Sequence, residues 1–76
     1  MSKAFREKDL VTLAKRFRKQ AGIRRAQAAR DMKVSQTSIF NAEEAPEQAL
    51  INLRIRMIEA YSLYKVVGPV FYLQKK

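Results

Sequence analysis

The 76 residues contain no cysteine, no histidine and no tryptophan, and only two glycines and two prolines. Without cysteine there is no disulfide, no thiol nucleophile and no soft thiolate ligand. Without histidine the usual base near neutral pH and the commonest metal ligand are missing too. Acidic residues are few, seven against sixteen Lys and Arg, and they are scattered. Glu43 and Glu44 are neighbours, but adjacent side chains on a helix diverge rather than pair. Gly22 and Gly68 are isolated, so no glycine-rich phosphate loop exists, and Ser35, Thr37 and Ser38 have no partner base. These gaps argue against an enzyme and against any cofactor or bound metal.

Long apolar runs are missing as well. The start, MSKAFREKDL, has no apolar stretch of signal-peptide length. The uncharged run from Val66 to Gln74 is interrupted by Gly68-Pro69, and nothing is long enough to cross a bilayer. The expectation is one small domain over residues 1–76, in a reducing cytoplasm, with a core so modest that dimerisation is a plausible supplement.

What is present is positive charge, unevenly placed. Residues 1–34 hold eleven Lys or Arg against Glu7, Asp9 and Asp31; residues 35–64 hold Arg54 and Arg56 against Glu43, Glu44, Glu47 and Glu59. Lys65, Lys75 and Lys76 complete the net charge of +9. A basic half of this density suits a polyanion, although a solvated face that keeps a small protein soluble is the blander reading.

Periodicity divides the chain. Leu10, Leu13, Ala14, Phe17 and Ala21 form the stripe of an amphipathic helix, with Asp9 a candidate N-cap, a start one turn earlier as the alternative, and Gly22 its stop. Lys15, Arg16, Arg18 and Lys19 fall off that stripe, as a solvated rim. The stretch Arg24–Glu43, RRAQAARDMKVSQTSIFNAE, reads as two short helices joined by a tight turn. Ala28, Ala29 and Met32 face inward on the first, Val34 plugs the turn, Ser35 caps the second helix, and Ile39 and Ala42 face inward on it. Its outward side carries Gln36, Thr37, Phe40 and Asn41: amides, a hydroxyl and an apolar ring, groups able to read base edges.

Pro46 suits the first position of a fourth helix reaching about Leu63. Leu50, Leu53, Met57 and Tyr61 form one stripe there, and Ile51, Ile55 and Ile58 a second. Together they are too wide for a single core face, and Arg54 between them is expected to lay its stem on apolar surface with its head in water. The helix therefore packs on the core plus either the C-terminal segment, a partner subunit or both. Residues 1–8 are expected to fray. Val70, Phe71, Tyr72 and Leu73 read as a short strand, paired either with Tyr64–Val67 as a hairpin or with its own copy across a two-fold axis.

The Arg24–Glu43 stretch resembles the helix-turn-helix regulators of the phage Cro and lambda-repressor (XRE-like) type. With Arg25 as the first motif position, the fifth is Ala29, the tenth Val34, the fifteenth Ile39 and the eighteenth Ala42. The resemblance covers roughly Leu10 to Ala60. Three positions depart from the pattern: Arg25 stands where the family often has Gln, Arg24 replaces a Ser or Thr cap, and Lys33 holds a turn position often given to Gly. A positive φ at Lys33 would carry strain of roughly 1–2 kcal/mol.

The resemblance implies a mainly α, four-helix, lambda-repressor-like DNA-binding domain with a short C-terminal strand. It implies a homodimeric, sequence-specific regulator of bacterial or phage origin acting on operator DNA in the cytoplasm. Helix 36–43 would enter the major groove with Gln36, Thr37, Phe40 and Asn41 reading bases. Arg24, Arg25, Lys33, Ser35 and Ser38 would hold phosphates. Ile51, Ile55, Ile58, Val70, Phe71, Tyr72 and Leu73 are the candidate dimer interface. The rival reading is a helical adaptor or antitoxin-like module whose main partner is another protein.

Overall fold

The computed structural model describes residues 4–68 and 71–76. In order, these form β1 (Ala4–Phe5), α1 (Glu7–Gln20), α2 (Arg25–Met32), α3 (Gln36–Glu44), α4 (Ile51–Ala60), β2 (Tyr64–Val67) and β3 (Phe71–Lys75). The chain is thus mainly helical with a short C-terminal antiparallel sheet. Among the described residues, no helix is long and apolar enough to cross a membrane.

The expected stripe of α1 is the centre of the core. Leu10, Leu13 and Ala14 pack with Ala28, Ala29, Met32, Ile39 and Ala42 of the next two helices and with Leu53, Met57 and Ile58 of α4. The helix starts a turn before Asp9: Arg6 is the N-cap, and Asp9 Oδ2 accepts from the Arg6 N–H at 2.8 Å. It stops at Gly22, whose φ of +73° lets its N–H reach the Lys19 carbonyl while the Ile23 N–H reaches that of Arg18. That pair of bonds is the Schellman termination.

Helix α4 is shorter than its periodicity suggests. Pro46 does not open it; Pro46 sits in a turn closed by the Gln48 N–H on the Ala45 carbonyl at 3.0 Å, and the helix begins at Ile51. At the other end the helix stops at Ala60, short of Leu63.

Arg54 departs furthest from expectation. Its head is buried, the residue being 2% exposed. Nε, Nη2 and Nη1 donate to the carbonyls of Ala42, Ala45 and Gln48 at 3.0, 2.8 and 2.9 Å. These carbonyls belong to the end of α3 and the turn after it, where no intrahelical donors remain, and a planar fork of N–H groups satisfies them at once. Burial lowers the Arg54 pKa from its ordinary value, opposed by Glu47 and Glu7. Two residues on, and on the other side of the helix, Arg56 Nη2 donates to the carbonyl of Met32, the last residue of α2, at 2.7 Å. Two arginines of α4 therefore end the two helices that precede it.

The sheet has the order β1-β3-β2, both pairings antiparallel. Val67 lies opposite Tyr72 and Val66 opposite Leu73, so Tyr64–Val67 folds back as the hairpin partner. Phe5 lies opposite Phe71, so residues 4–5 are an ordered strand rather than a frayed end. Phe5, Val66, Phe71 and Leu73 pack against the helical core, and Phe17 of α1 meets Tyr64 with ring centroids 6.0 Å apart. The wide apolar arc of α4 is used up in this way, against α1 and against β2.

Most of the candidate dimer interface is changed by these contacts. Ile58 is fully buried within one chain, which removes it from any interface. Ile51, Ile55, Phe71 and Leu73 are half-buried against the chain's own core, and Val70 lies outside the described residues. Tyr72 has neighbours on both sides, β1 and β2, so no second copy is needed to close the terminal strand. The outer edge of β2 is closed differently. The Tyr64 N–H is taken by Ser62 Oγ at 3.1 Å and the Val66 N–H by Glu59 Oε2 at 3.0 Å. Strand N–H groups alternate in direction, so these are the two that point away from β3.

Two expectations follow from these packing contacts. Arg54→Met keeps the stem but leaves the Ala42 carbonyl without a donor and takes one of two donors from the carbonyls of Ala45 and Gln48, which keep the Gln48 and Leu50 N–H groups. It should destabilise the fold by about 3 kcal/mol in urea unfolding, at an unchanged m-value. The second concerns α2 and α4, which are tied by the Tyr61 hydroxyl donating to Asp31 Oδ2 at 2.6 Å. That bond, with a second from Gln27, holds the Asp31 carboxyl below its usual range. Burial first, and then the Asp31 carboxylate, push the Tyr61 pKa above the ordinary phenol value. The lowered carboxylate contributes stability above its unfolded pKa that is lost as pH falls through the folded value. The raised phenol contributes stability below its unfolded pKa that is lost as pH climbs toward the folded value. The difference in urea midpoint between the wild type and Tyr61→Phe should therefore be level between about pH 5 and 9 and shrink on either side.

Candidate functional site

α2, the turn and α3 build one surface. The small side chains of Ala28 and Ala29 are buried where α3 crosses, and Ile39 and Ala42 fill the opposing side. The turn is made by Lys33, which adopts φ 59° and ψ 45°. Its N–H reaches the Arg30 carbonyl at 3.2 Å, and the Val34 N–H reaches the Ala29 carbonyl at 3.0 Å. This is the same termination that Gly22 makes, here on a residue with a Cβ, so the left-handed strain foreseen for Lys33 is present. Val34 then packs its side chain on the core. Ser35 caps α3, its Oγ accepting from the Ser38 N–H at 3.1 Å.

On the outward side of α3, Gln36, Thr37 and Phe40 are exposed and Asn41 is half-buried. The structure brings these residues onto one face, since Phe40 is a full turn from Gln36 and Asn41 a full turn from Thr37. Arg24, the N-cap of α2, and Lys33 are exposed and form no ion pair among the described residues. As the missing Ser or Thr suggests, no side chain caps α2. A shallow recess along that helix start is lined by Gly22, Ile23, Arg24, Ala26, Gln27 and Arg30.

Three of the expected phosphate ligands are engaged within the chain. Ser35 and Ser38 lie with their Oγ atoms 3.1 Å apart, one hydroxyl bonding the other while Ser35 serves the cap. Arg25 is more firmly held: Nε donates to Glu43 Oε1 at 3.0 Å and Nη2 to Glu44 Oε2 at 2.8 Å. Its guanidinium also lies over the Phe40 ring, 5.0 Å from the centroid. Glu43 and Glu44, expected to diverge, are instead brought together on one arginine, which spans both.

Sequence reasoning missed the other half of this cluster. Arg18, read as part of a solvated rim, is buried and 7% exposed. It is paired through Nε and Nη2 with Glu43, and its Nη1 donates to the Ile23 carbonyl at 2.6 Å. The Glu43 carboxylate is wholly enclosed between Arg18 of α1 and Arg25 of α2. Lys15 bonds Glu44, and that ammonium holds the Glu44 carboxyl below its usual range, with Arg25 adding to the effect. The available signal was a single charged residue, Glu43, directly following the inward-facing Ala42. A carboxylate there is buried and must find cations. Among the described residues, no group of three or more potential ligands could hold a metal ion.

Comparison of the chain with family models, with curated protein sequences and with solved structures finds no match.

The enclosed carboxylate gives a clear contrast. Glu43→Gln keeps the shape but leaves the Arg18 charge buried without its counterion. Loss of about 3–5 kcal/mol is expected in urea unfolding. Glu44→Gln, at the exposed end of the same cluster, should leave the midpoint nearly unchanged.

Proposed function

We propose that the chain is a sequence-specific double-stranded DNA-binding protein that acts as a transcription regulator, with α3 laid in the major groove. The observation that carries this reading is the convergence on α3 of Gln36, Thr37, Phe40 and Asn41 beside Arg24 and Lys33, cations that form no ion pair among the described residues. The major groove admits a helix, and the amides of Gln36, at its N-terminal end, and Asn41 are suited to bidentate pairing with adenine. Arg24 and Lys33 flank that helix from the start and the end of α2, where phosphates on either side of a groove would lie. The uncapped N-terminus of α2 adds backbone donors at the Arg24 end.

Glu43 and Glu44, the acidic residues of α3, do not oppose this approach. Glu43 is enclosed, and Glu44 is matched by Lys15 and Arg25. The division of labour among the cations is therefore narrower than the sequence suggests. Arg24 and Lys33 hold phosphates, while Arg18 and Arg25 hold the helices. Two chains on a palindromic site is the arrangement that the resemblance implies, and the reading for one chain stands without it. An adaptor for another protein is the competing reading. It is favoured by Leu63, 70% exposed next to a shallow recess lined by Ala21, Ile23, Ala60 and Tyr61.

A fluorescence titration with random duplex DNA at two salt concentrations separates the readings. A DNA-binding chain should lose affinity with a log–log slope of about −0.9 per phosphate contacted, and a flat response would favour the adaptor. Gln36→Ala should cost about 1–3 kcal/mol on the best site and relax preference at particular bases. Arg24→Ala should weaken all duplexes alike and lower the salt slope by about one. Equal, uniform losses from both variants would remove α3 as the reading helix.

A further inference from the structure

Phe40 is 49% exposed on a helix whose other large apolar side chain, Ile39, is fully buried. Single exposed apolar residues are common and need no explanation. This one differs in being held. The Arg25 guanidinium lies over one face of the ring, and that guanidinium is fixed in turn by Glu43 and Glu44. A surface phenylalanine ordinarily exchanges rotamers, and it loses that freedom on contact with a ligand. Here the freedom is already restricted, so a contact with the exposed part of the ring costs less entropy.

The ring shares its side of α3 with Gln36, four residues earlier, and Thr37, three residues earlier. It has no hydrogen-bonding group, so it cannot answer the donors and acceptors of a base edge. The apolar feature of the major groove is the methyl group on C5 of a pyrimidine. On the DNA-binding reading above, we propose that Phe40 recognises a C5-methylpyrimidine, and that Arg25 is the positioning residue that holds the ring for it. Thymine and 5-methylcytosine present the same methyl group at the same groove position.

This role also accounts for Arg25 at a position where a free phosphate ligand would be expected. Its Nε and one terminal nitrogen are committed to carboxylates, and its charge is offset by them. What Arg25 supplies is a fixed, planar cation under an aromatic ring, an arrangement that lysine does not reproduce.

The test uses the full chain and a duplex recovered by selection from a random pool. That duplex is resynthesised with deoxyuridine replacing thymine one position at a time, and with 5-methylcytosine replacing cytosine likewise. The wild type should lose about fourfold in affinity at one pyrimidine position when the methyl is removed, the value of one buried methyl group. If the contacted base is instead a cytosine, 5-methylation should raise affinity by a similar factor, which tells the two sources apart. Phe40→Ala should bind the methylated and unmethylated duplexes equally. Arg25→Gln should move the ratio toward one with its circular dichroism unchanged, and Arg25→Lys should do likewise. A phosphate or purely structural role for Arg25 would instead lower both affinities together and keep the ratio. Equal wild-type affinity for every methylated and unmethylated pair, or discrimination that survives in Phe40→Ala, overturns the proposal while DNA binding stands. Failure to recover any duplex, with no salt-dependent binding, overturns the DNA reading itself.

Discussion

One enclosed negative charge sets the relation of the first three helices. Glu43 sits at the end of α3 with its carboxylate out of water, and its neutralisation comes from Arg18 on α1 and Arg25 on α2. Desolvating a carboxylate costs several kcal/mol, and that cost is recovered only if the partners and their geometry are right. A rotation of α3 that released either arginine would strand a charge. The outward face of α3 is therefore fixed from the inside. The same requirement draws Glu44, Lys15 and Phe40 into a chain of contacts leading to the surface.

α4 performs the complementary task. Helix ends that carry no glycine or capping side chain leave carbonyls without donors, and both α2 and α3 end close to α4. Arg56 takes the last carbonyl of α2, and Arg54 takes those at the end of α3. Carboxylate-bound arginines thus fix one side of the two-helix unit, and carbonyl-bound arginines fix its other ends. The basic composition is only partly a matter of surface charge: four of the arginines act inside the protein.

The residues show why some of this was legible in the sequence and some was not. Ala29, Val34, Ile39 and Ala42 declare the two-helix unit because a close crossing demands small and apolar groups at fixed spacing, and those demands are local. Lys33 could be suspected of a positive φ from the resemblance, because it holds a turn position often given to Gly, and it has one. Arg18 and Arg54 could not be placed, because a cation off the apolar stripe looks solvated until its partner is known. That partner is 25 residues away for Arg18, and for Arg54 it is a set of backbone carbonyls that leave no mark in a sequence. Two-residue β1 is too short for any periodicity to register, and Phe5 alone hinted at it. Pro46 fits a helix start and a turn equally well; here the turn prevails, with Arg54 bonding the carbonyls at its two ends.

The guarded edge of β2 bears on how the protein behaves in a crowd. A short sheet in a small basic domain offers neighbours a row of backbone donors, and sheets grow by adding strands to such rows. Ser62 and Glu59, supplied from the end of α4 and the bend after it, occupy the donors that face outward. A strand arriving from another molecule would have to displace a hydroxyl and a carboxylate before its carbonyls found a donor on this edge. Glu59 also sets a negative charge among Lys65, Lys75 and Lys76 on an otherwise basic end of the chain. On its donor side the sheet is thereby a finished structure rather than a template.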